Sequence, residues 1–422
     1  MKKTITYTLF FMLILLSANI QAAESKPIVI LTTFSKHSIS HLVEQYQQQF
    51  PNTEVRVIFR RTRSALRLLA KADAQSIDIV ISSSPVLLSS LSSNQQLHAI
   101  SPPHQLPTWL TPHLLDISGE VTAFGYSGFG LMYNHQYLDS HNLPIPASWE
   151  DLTKAIYFHH ITMSTPSRSG TTNLMVENIL QHYGWEDGWR LLMQIGGNIA
   201  FISARSFGVS EAISKGFIGA APVIDSYAIN SRKVFPYIGF DYLPNSILMP
   251  AYIGIARKSH SIDNANTFIS FLLSQSGQQL LENTSMAKYS LNQPQLAKSV
   301  TFILDKQLVH SRDPLISHLF DQAITEQLHQ LNSTWQSIHE LEAQPNLSPQ
   351  AKEKIQLAKD YATKVPVTAE QASSPDYLAR FHSDWAKRGR DPDIAAEIQE
   401  WKQTLKLNLL NANTLLSQIN QE

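Results

Sequence analysis

From residue 27 onward, short apolar runs alternate with segments of helical period. Residues 28–31 form a buried-strand run that ends on Thr32, Thr33, Phe34 and Ser35. Ile39, Leu42, Val43 and Tyr46 then recur at helical spacing, and Pro51-Asn52 turns the chain into a second strand over 55–59. An Arg-rich loop at residues 60–64 precedes a helix over 65–74. A third strand over 77–81 ends in Ser82, Ser83 and Ser84. This strand–helix rhythm predicts an α/β, doubly wound lobe with a mostly parallel sheet covered on both faces. The loops at the strands' carboxyl ends carry Ser, Thr and Arg, and open α/β sheets hold ligands at that edge.

A second α/β lobe is expected from residue 123. Residues 123–134 read as an extended, glycine-punctuated crossing strand. Ser148 caps a short helix, 160–163 is a strand, and helices follow over 173–182 and 186–196. Strands over 199–202 and 218–224 flank a helix that starts near Val209. Residues 247–256 return the chain to the first lobe, where helices over 262–273 and 277–282 close it. Beyond Lys298 glycine nearly disappears, Gly389 being the exception. Helices are expected over 314–331, 335–343, 348–363, 375–386 and 392–419, punctuated by proline. The resulting plan is a leader (1–23), lobe 1 (27–122 and 251–297), lobe 2 (123–250) and an all-α C-terminal extension (298–422).

Lys2 and Lys3, an apolar run from Leu9 to Leu16 and the small residues Ala22 and Ala23 read as an export signal, cleaved near Ala22 or Ala23. Localisation in the periplasm is the expectation. The chain has no cysteine, which excludes disulfides, thiolate metal sites, cysteine nucleophiles and a lipidated cysteine. A net charge of −1 gives no global field for nucleic acid, so no nucleic-acid partner is expected. No GxxxxGK[ST], HExxH or GxGxxG string occurs, and no nucleophile–base pair is recognisable. No cofactor and no enzymatic activity are expected. His37 and His41 share a helix face, but two imidazoles alone make a poor metal site.

The richest chemistry lies at Ser164-Thr165-Pro166-Ser167-Arg168-Ser169-Gly170-Thr171-Thr172, immediately before a helix. Small hydroxyl residues and glycine at a helix start present free backbone N–H groups and the positive end of the helix dipole. Arg168 adds a planar donor fork. A similar Arg/Ser loop lies at Arg205 and Ser206. In the first lobe, extended backbone would put Arg61 and Arg63 on one face, with Thr62 between them and Arg60 pointing elsewhere. Thr33, Ser35 and Ser83 end the strands of lobe 1. Ser127 lies at the crossing, and Asp225 and Tyr227 end the strand at 224. Together with Gly170 and Thr171, these residues are the candidate ligand-binding set for a small multiply charged anion.

Pro146-Ala147-Ser148-Trp149-Glu150-Asp151-Leu152, Ser167-Arg168-Ser169-Gly170-Thr171 and Ser270-Phe271-Leu272-Leu273-Ser274-Gln275-Ser276-Gly277-Gln278 carry a resemblance. They resemble the second-lobe opening, anion loop and closing helix pair of type II periplasmic solute-binding proteins, in the ferric-iron and phospho-organic-anion branch. The resemblance covers about residues 27–293. Iron binders of that branch carry adjacent tyrosines, whereas here Tyr227 stands between Ser226 and Ala228, which argues against iron. The Arg-rich loop and helical extension resemble instead the regulatory members that govern phosphoglycerate transport. That resemblance implies a small phosphorylated carboxylic acid or sugar phosphate as ligand and a membrane sensor kinase as partner. Alternatives are delivery of an organophosphate or ferric iron to an ABC permease, and a periplasmic phosphohydrolase.

Overall fold

A computed structural model describes residues 27–71, 77–117, 119–298, 300, 302–386 and 391–419. The expected leader, the end of the helix expected over 65–74, and Gly389 lie outside the described residues. Two sheets organise the chain. The first contains β1 (Ile28–Thr32), β2 (Val55–Phe59), β3 (Ile79–Ser82), β4 (Leu97–His98) and β5 (Val121–Ser127). The second contains β6 (Phe129–Asn134), β7 (Ile161–Ser164), β8 (Ile199–Ser203), β9 (Ala220–Ile224) and β10 (Ile238–Tyr242). The returning β11 (Met249–Ala256) joins the first sheet, whose order is β2-β1-β3-β11-β4 with β5 also on β11. The second sheet runs β10-β6-β9-β7-β8.

β1 pairs in parallel with both β2 and β3, and its five residues are all buried. A central parallel strand covered on both faces reads as a continuous apolar run. β11 runs antiparallel to β3 and β5. Because β5 pairs with β11 through Ser127, the first sheet keeps residues 121–127, and the chain crosses to the second sheet at Gly128 rather than at the boundary drawn after 122. An unbroken extended segment offers no sequence signal of where it changes sheets. Gly128 is required by close approach, since a Cβ there would lie 2.7 Å from Leu296 Cδ2 and 2.9 Å from Tyr242 Cε1.

Lobe 1 carries α1 (Lys36–Gln49), α2 (Thr62–Leu69) and α3 (Pro85–Ser93). Lobe 2 carries α4 (His135–Ser140), α5 (Gly170–Tyr183), α6 (Trp185–Asn198), α7 (Ser206–Ser214) and α8 (Asp225–Val234). After β11 come α9 (Ile262–Leu273) and α10 (Gln275–Asn283). α1 buries Ile39, Leu42, Val43 and Tyr46, the stripe the sequence shows. Two elements begin earlier than the sequence suggests. α2 starts at Thr62, so the Arg-rich segment is mostly the first helical turn. α5 starts at Gly170, three residues before the apolar pattern sets in, because Ser169 caps it by accepting from Thr172 N at 3.1 Å. The short helix expected after Ser148 is a 3-10 turn over Asp151–Thr153.

The extension is α11 (Lys306–Phe320), a π turn over Asp321–Thr325, α12 (Leu328–Glu342), α13 (Pro349–Thr363), α14 (Pro375–Ala386) and α15 (Pro392–Ile419). Pro314 sits inside α11 rather than at its start. Asp305 is the cap, accepting from Gln307 N and Leu308 N, and His382 Nε2 meets the Ser311 carbonyl at 3.1 Å in the turn that the proline loosens. The extension does not build its own core. Trp185, Trp189, Leu192 and Ile195 of α6 share one buried cluster with Phe320, Ile324, Leu331, Trp335 and Ile338. α12 lies so close to α6 that a Cβ on Gly197 would fall 2.1 Å from Trp335 Cδ1.

Trp335 is 2% exposed and fills this seam. We expect Trp335→Ala to destabilise the protein by about 3–5 kcal/mol. Urea unfolding followed by circular dichroism checks this, and an unchanged midpoint would refute the shared core.

Candidate ligand-binding site

The two lobes and the extension enclose a cavity of about 120 Å³. Among the described residues, six helices begin at its wall. From lobe 1 these are α1 at Ser35, α2 at Arg61 and α3 at Ser84. From lobe 2 they are α5 at Ser169, α7 at Arg205 and α8 at Ile224. Each brings first-turn N–H groups that have no partner within the helix and a positive dipole end. The reason lies in the topology. In both sheets the edge at the cavity is where strands end and helices begin, and apart from Ile224 the caps are serines or extended arginines. The lobes meet across the mouth, where a Cβ on Gly170 would lie 3.5 Å from Ser84 Cβ and 3.7 Å from Thr62 Oγ1.

Thirteen of the fifteen candidate residues line this cavity. From lobe 1 these are Thr33, Ser35, Arg61, Thr62, Arg63 and Ser83. Thr33 Oγ1 shares a 2.7 Å hydrogen bond with Ser82 Oγ, and Ser35 caps α1. Arg61 and Arg63 both reach the wall, although not through extended alternation: Arg61 is the extended N-cap of α2 and Arg63 lies in its first turn. Arg60 turns away and donates to the Phe59 carbonyl at 2.7 Å. From lobe 2 come Arg168, Ser169, Gly170, Thr171, Arg205, Ser206 and Tyr227. Ser206 Oγ donates to Ser169 Oγ at 2.7 Å, joining the two Arg/Ser loops. Ser83 Oγ and Asn173 Nδ2 are buried without a hydrogen-bond partner. Buried polar atoms of this kind are costly unless something pairs with them.

Ser127 and Asp225 do not reach the cavity wall. They hold a residue that does, Lys288, which the sequence reading missed. Lys288 is 2% exposed, and its Nζ donates to Ser127 Oγ at 2.8 Å and lies 5.0 Å from the Phe34 ring. Asp225 is fully buried. It accepts from Gly128 N at 2.6 Å and from Tyr242 OH at 3.1 Å. Burial raises the Asp225 carboxyl to about 6, with the Lys288 charge opposing it, and burial lowers the Lys288 ammonium to about 8, with Asp225 opposing. Lys288 follows α10 in lobe 1 and Asp225 opens α8 in lobe 2, so the pair spans the crossing.

The extension supplies the second missed residue. Asp313 of α11 lines the wall, 6% exposed. Burial raises its carboxyl to about 7, with the Arg63 charge pulling it down. Its neighbour Arg312 faces lobe 2, with Nη1 3.7 Å from Glu177 Oε2 and Nε donating to the Ala372 carbonyl at 2.9 Å. Thr165 of the loop before α5 donates to Asp321 Oδ1 at 2.5 Å. Among the described lining residues there are thus five cations (Arg61, Arg63, Arg168, Arg205 and Lys288) against the single carboxyl of Asp313. Burial also raises the Tyr227 phenol to about 12, which keeps it protonated.

Because the folded-state value of Asp225 lies above its unfolded one, the native state holds the extra proton between about pH 4 and 6. Its contribution therefore falls as pH rises through that window. We expect the melting temperature of wild type relative to Asp225→Asn to decline from pH 4 to pH 6. Thermal melts of both proteins at each pH check this, and a constant difference would contradict the assignment.

Residues 74–302 match the model of a family described as bacterial extracellular solute-binding protein. The chain is 34% identical over 368 residues to the phosphoglycerate transport regulatory protein PgtC of Salmonella typhimurium, covering 85% of this chain and 90% of that one. The fold matches that of the periplasmic binding protein AfuA from Actinobacillus pleuropneumoniae with fructose-6-phosphate bound. The TM-score is 0.59 at 16% identity, over 76% of this chain and 100% of AfuA. It also matches iron-bound HitA from Pseudomonas aeruginosa, with a TM-score of 0.54 at 14% identity over 85% of this chain and 99% of HitA. With two α/β lobes joined by crossing strands and a helical extension packed on the second, the chain belongs to the bacterial extracellular solute-binding proteins and has the type II periplasmic binding fold.

Proposed function

We propose that this protein is a periplasmic receptor for a small phosphorylated carboxylic acid of the phosphoglycerate class, and that its occupancy regulates phosphoglycerate transport through a membrane sensor kinase. One observation carries the reading: five cations and six helix starts, drawn from both lobes, converge on a cavity of small-metabolite size. Desolvating a multiply charged anion is costly unless every charge finds donors, and this lining supplies guanidinium, ammonium, hydroxyl and backbone N–H groups. The candidate residues that line the cavity are the proposed ligand contacts, with Ser127 and Asp225 positioning Lys288. Similarity to a phosphoglycerate transport regulatory protein over most of both chains supports the ligand class and the regulatory role. A neighbour in the fold that holds fructose-6-phosphate supports a phosphorylated ligand. Ferric iron is a poorer fit, because the wall offers one carboxyl and one protonated phenol among cations. Binding would close the lobes about Gly128 through contacts made from both sides, a population shift toward the closed form.

A second reading is delivery of the anion to an ABC permease. It is favoured by the fold match to a substrate-binding protein of an ABC transporter from Agrobacterium tumefaciens, with a TM-score of 0.62 and 15% identity. Affinity capture from membranes separates the two: a sensor kinase supports regulation and permease subunits support delivery.

The ligand reading is tested by calorimetric titration with 3-phosphoglycerate, phosphoenolpyruvate, fructose-6-phosphate and inorganic phosphate. Arg168 is exposed at the cavity mouth, and its replacement removes a donor without opening the core. Arg168→Ala is expected to abolish binding of 3-phosphoglycerate with stability within about 0.5 kcal/mol of wild type. Equal affinity of variant and wild type would defeat the assignment.

A further inference from the structure

Among the described residues, the C-terminal extension enters the cavity through one side chain. Asp313, near the middle of α11, lines the wall with 6% exposure, its Oδ2 buried and without a hydrogen bond. Arg63 of α2 is the cation whose charge acts on this carboxyl. A carboxylate on the wall of an anion site is a liability for binding, since it repels the ligand and engages a guanidinium that the ligand needs. The same carboxylate is an asset without ligand, because converging cations and helix starts repel one another unless an anion is present.

α11 is also the element held by both lobes. It packs against α3 of lobe 1 and α5 of lobe 2, and Arg312 ties it to Glu177 in α5. The π turn that follows it accepts the hydroxyl hydrogen bond of Thr165 through Asp321. Such turns carry one extra residue per turn and mark places where a helix has slack in its register. A change at residue 313 therefore bears on a segment gripped by the anion loop on one side and by the shared core on the other.

Resting on the reading of the cavity as an anion site, we propose that Asp313 is a built-in counter-anion. Without ligand it neutralises the arginine end of the cavity, and a phosphorylated ligand binds by taking its place. α11, and the extension behind it, thereby report occupancy of the cleft. The extension is then a working part of the binding site.

The test uses the full chain at pH 8, where a carboxyl raised to about 7 is mostly ionised, and two probes, 3-phosphoglycerate and glycerate, which differ in the phosphoryl charge. Asp313→Asn should bind 3-phosphoglycerate about tenfold more tightly or better, with a much smaller gain for glycerate. Asp313→Glu, which keeps the charge, should show no gain. In hydrogen exchange, 3-phosphoglycerate should increase exchange over residues 306–325 of the wild type and leave Asp313→Asn unchanged. If Asp313→Asn does not melt cooperatively, Asp313→Ser serves in its place. Affinity of the neutral variant equal to or below that of wild type overturns the proposal, as does a ligand-independent exchange pattern over 306–325 in wild type. Wild type that binds neither 3-phosphoglycerate, fructose-6-phosphate nor phosphate removes the anion reading itself, and this proposal with it. Binding by wild type with no gain in the variant removes the counter-anion alone.

Discussion

Positive charge gathered into one cleft must be compensated, and most of the site's arrangement follows from that requirement. Four arginines, a buried lysine and six helix starts face one small space. Each inward N–H group or cation is a group that folding has stripped of part of its hydration. The protein answers in two places. Asp225 compensates Lys288 from beneath the wall, within hydrogen bonds from Gly128 and Tyr242. Asp313 of the extension lines the same wall as Arg63, whose charge pulls its carboxyl down. What remains after those two carboxyls is an excess of cationic donors, and that excess is the ground for reading the cleft as an anion site.

The fold places these groups without special devices. Parallel strands end on one edge of each sheet, the following helices begin there, and two such edges face each other across β5, β6 and β11. The caps then do double service. Ser169 stabilises the start of α5 and, through Ser206, registers the two Arg/Ser loops of lobe 2 against each other. Ser83 Oγ and Asn173 Nδ2, buried on the same wall, are left without a partner of their own.

Much of this was legible in the sequence because it is local. Apolar runs of four or five residues, each ending in Ser, Thr or Arg, announce the sheet edge, and the string around Arg168 announces a capped helix start. The exact starts of α2 and α5 were hidden because a helix's first turn carries polar residues that read as loop. The missed residues were hidden for a different reason. Lys288 lies between Ala287 and Tyr289 in a segment without periodicity, and its partners Ser127 and Asp225 are more than sixty residues away. Asp313 precedes Pro314 in a stretch where a charge and a proline suggest a helix start. The signal that could have exposed it is the Arg312-Asp313 pair, two charges set between the buried apolar residues Val309 and Leu315-Ile316.

The seam between Gly197 and Trp335 has a further implication. A tryptophan seated directly on a helix backbone leaves room for no other side chain beneath it. Such a joint must have been fitted from both sides together. A chimera that grafts α11–α15 onto another two-lobed receptor would bring the ring without the groove that receives it. The extension is thus inseparable from its host lobe, and its descent should be traced with that lobe rather than as a transferable cassette.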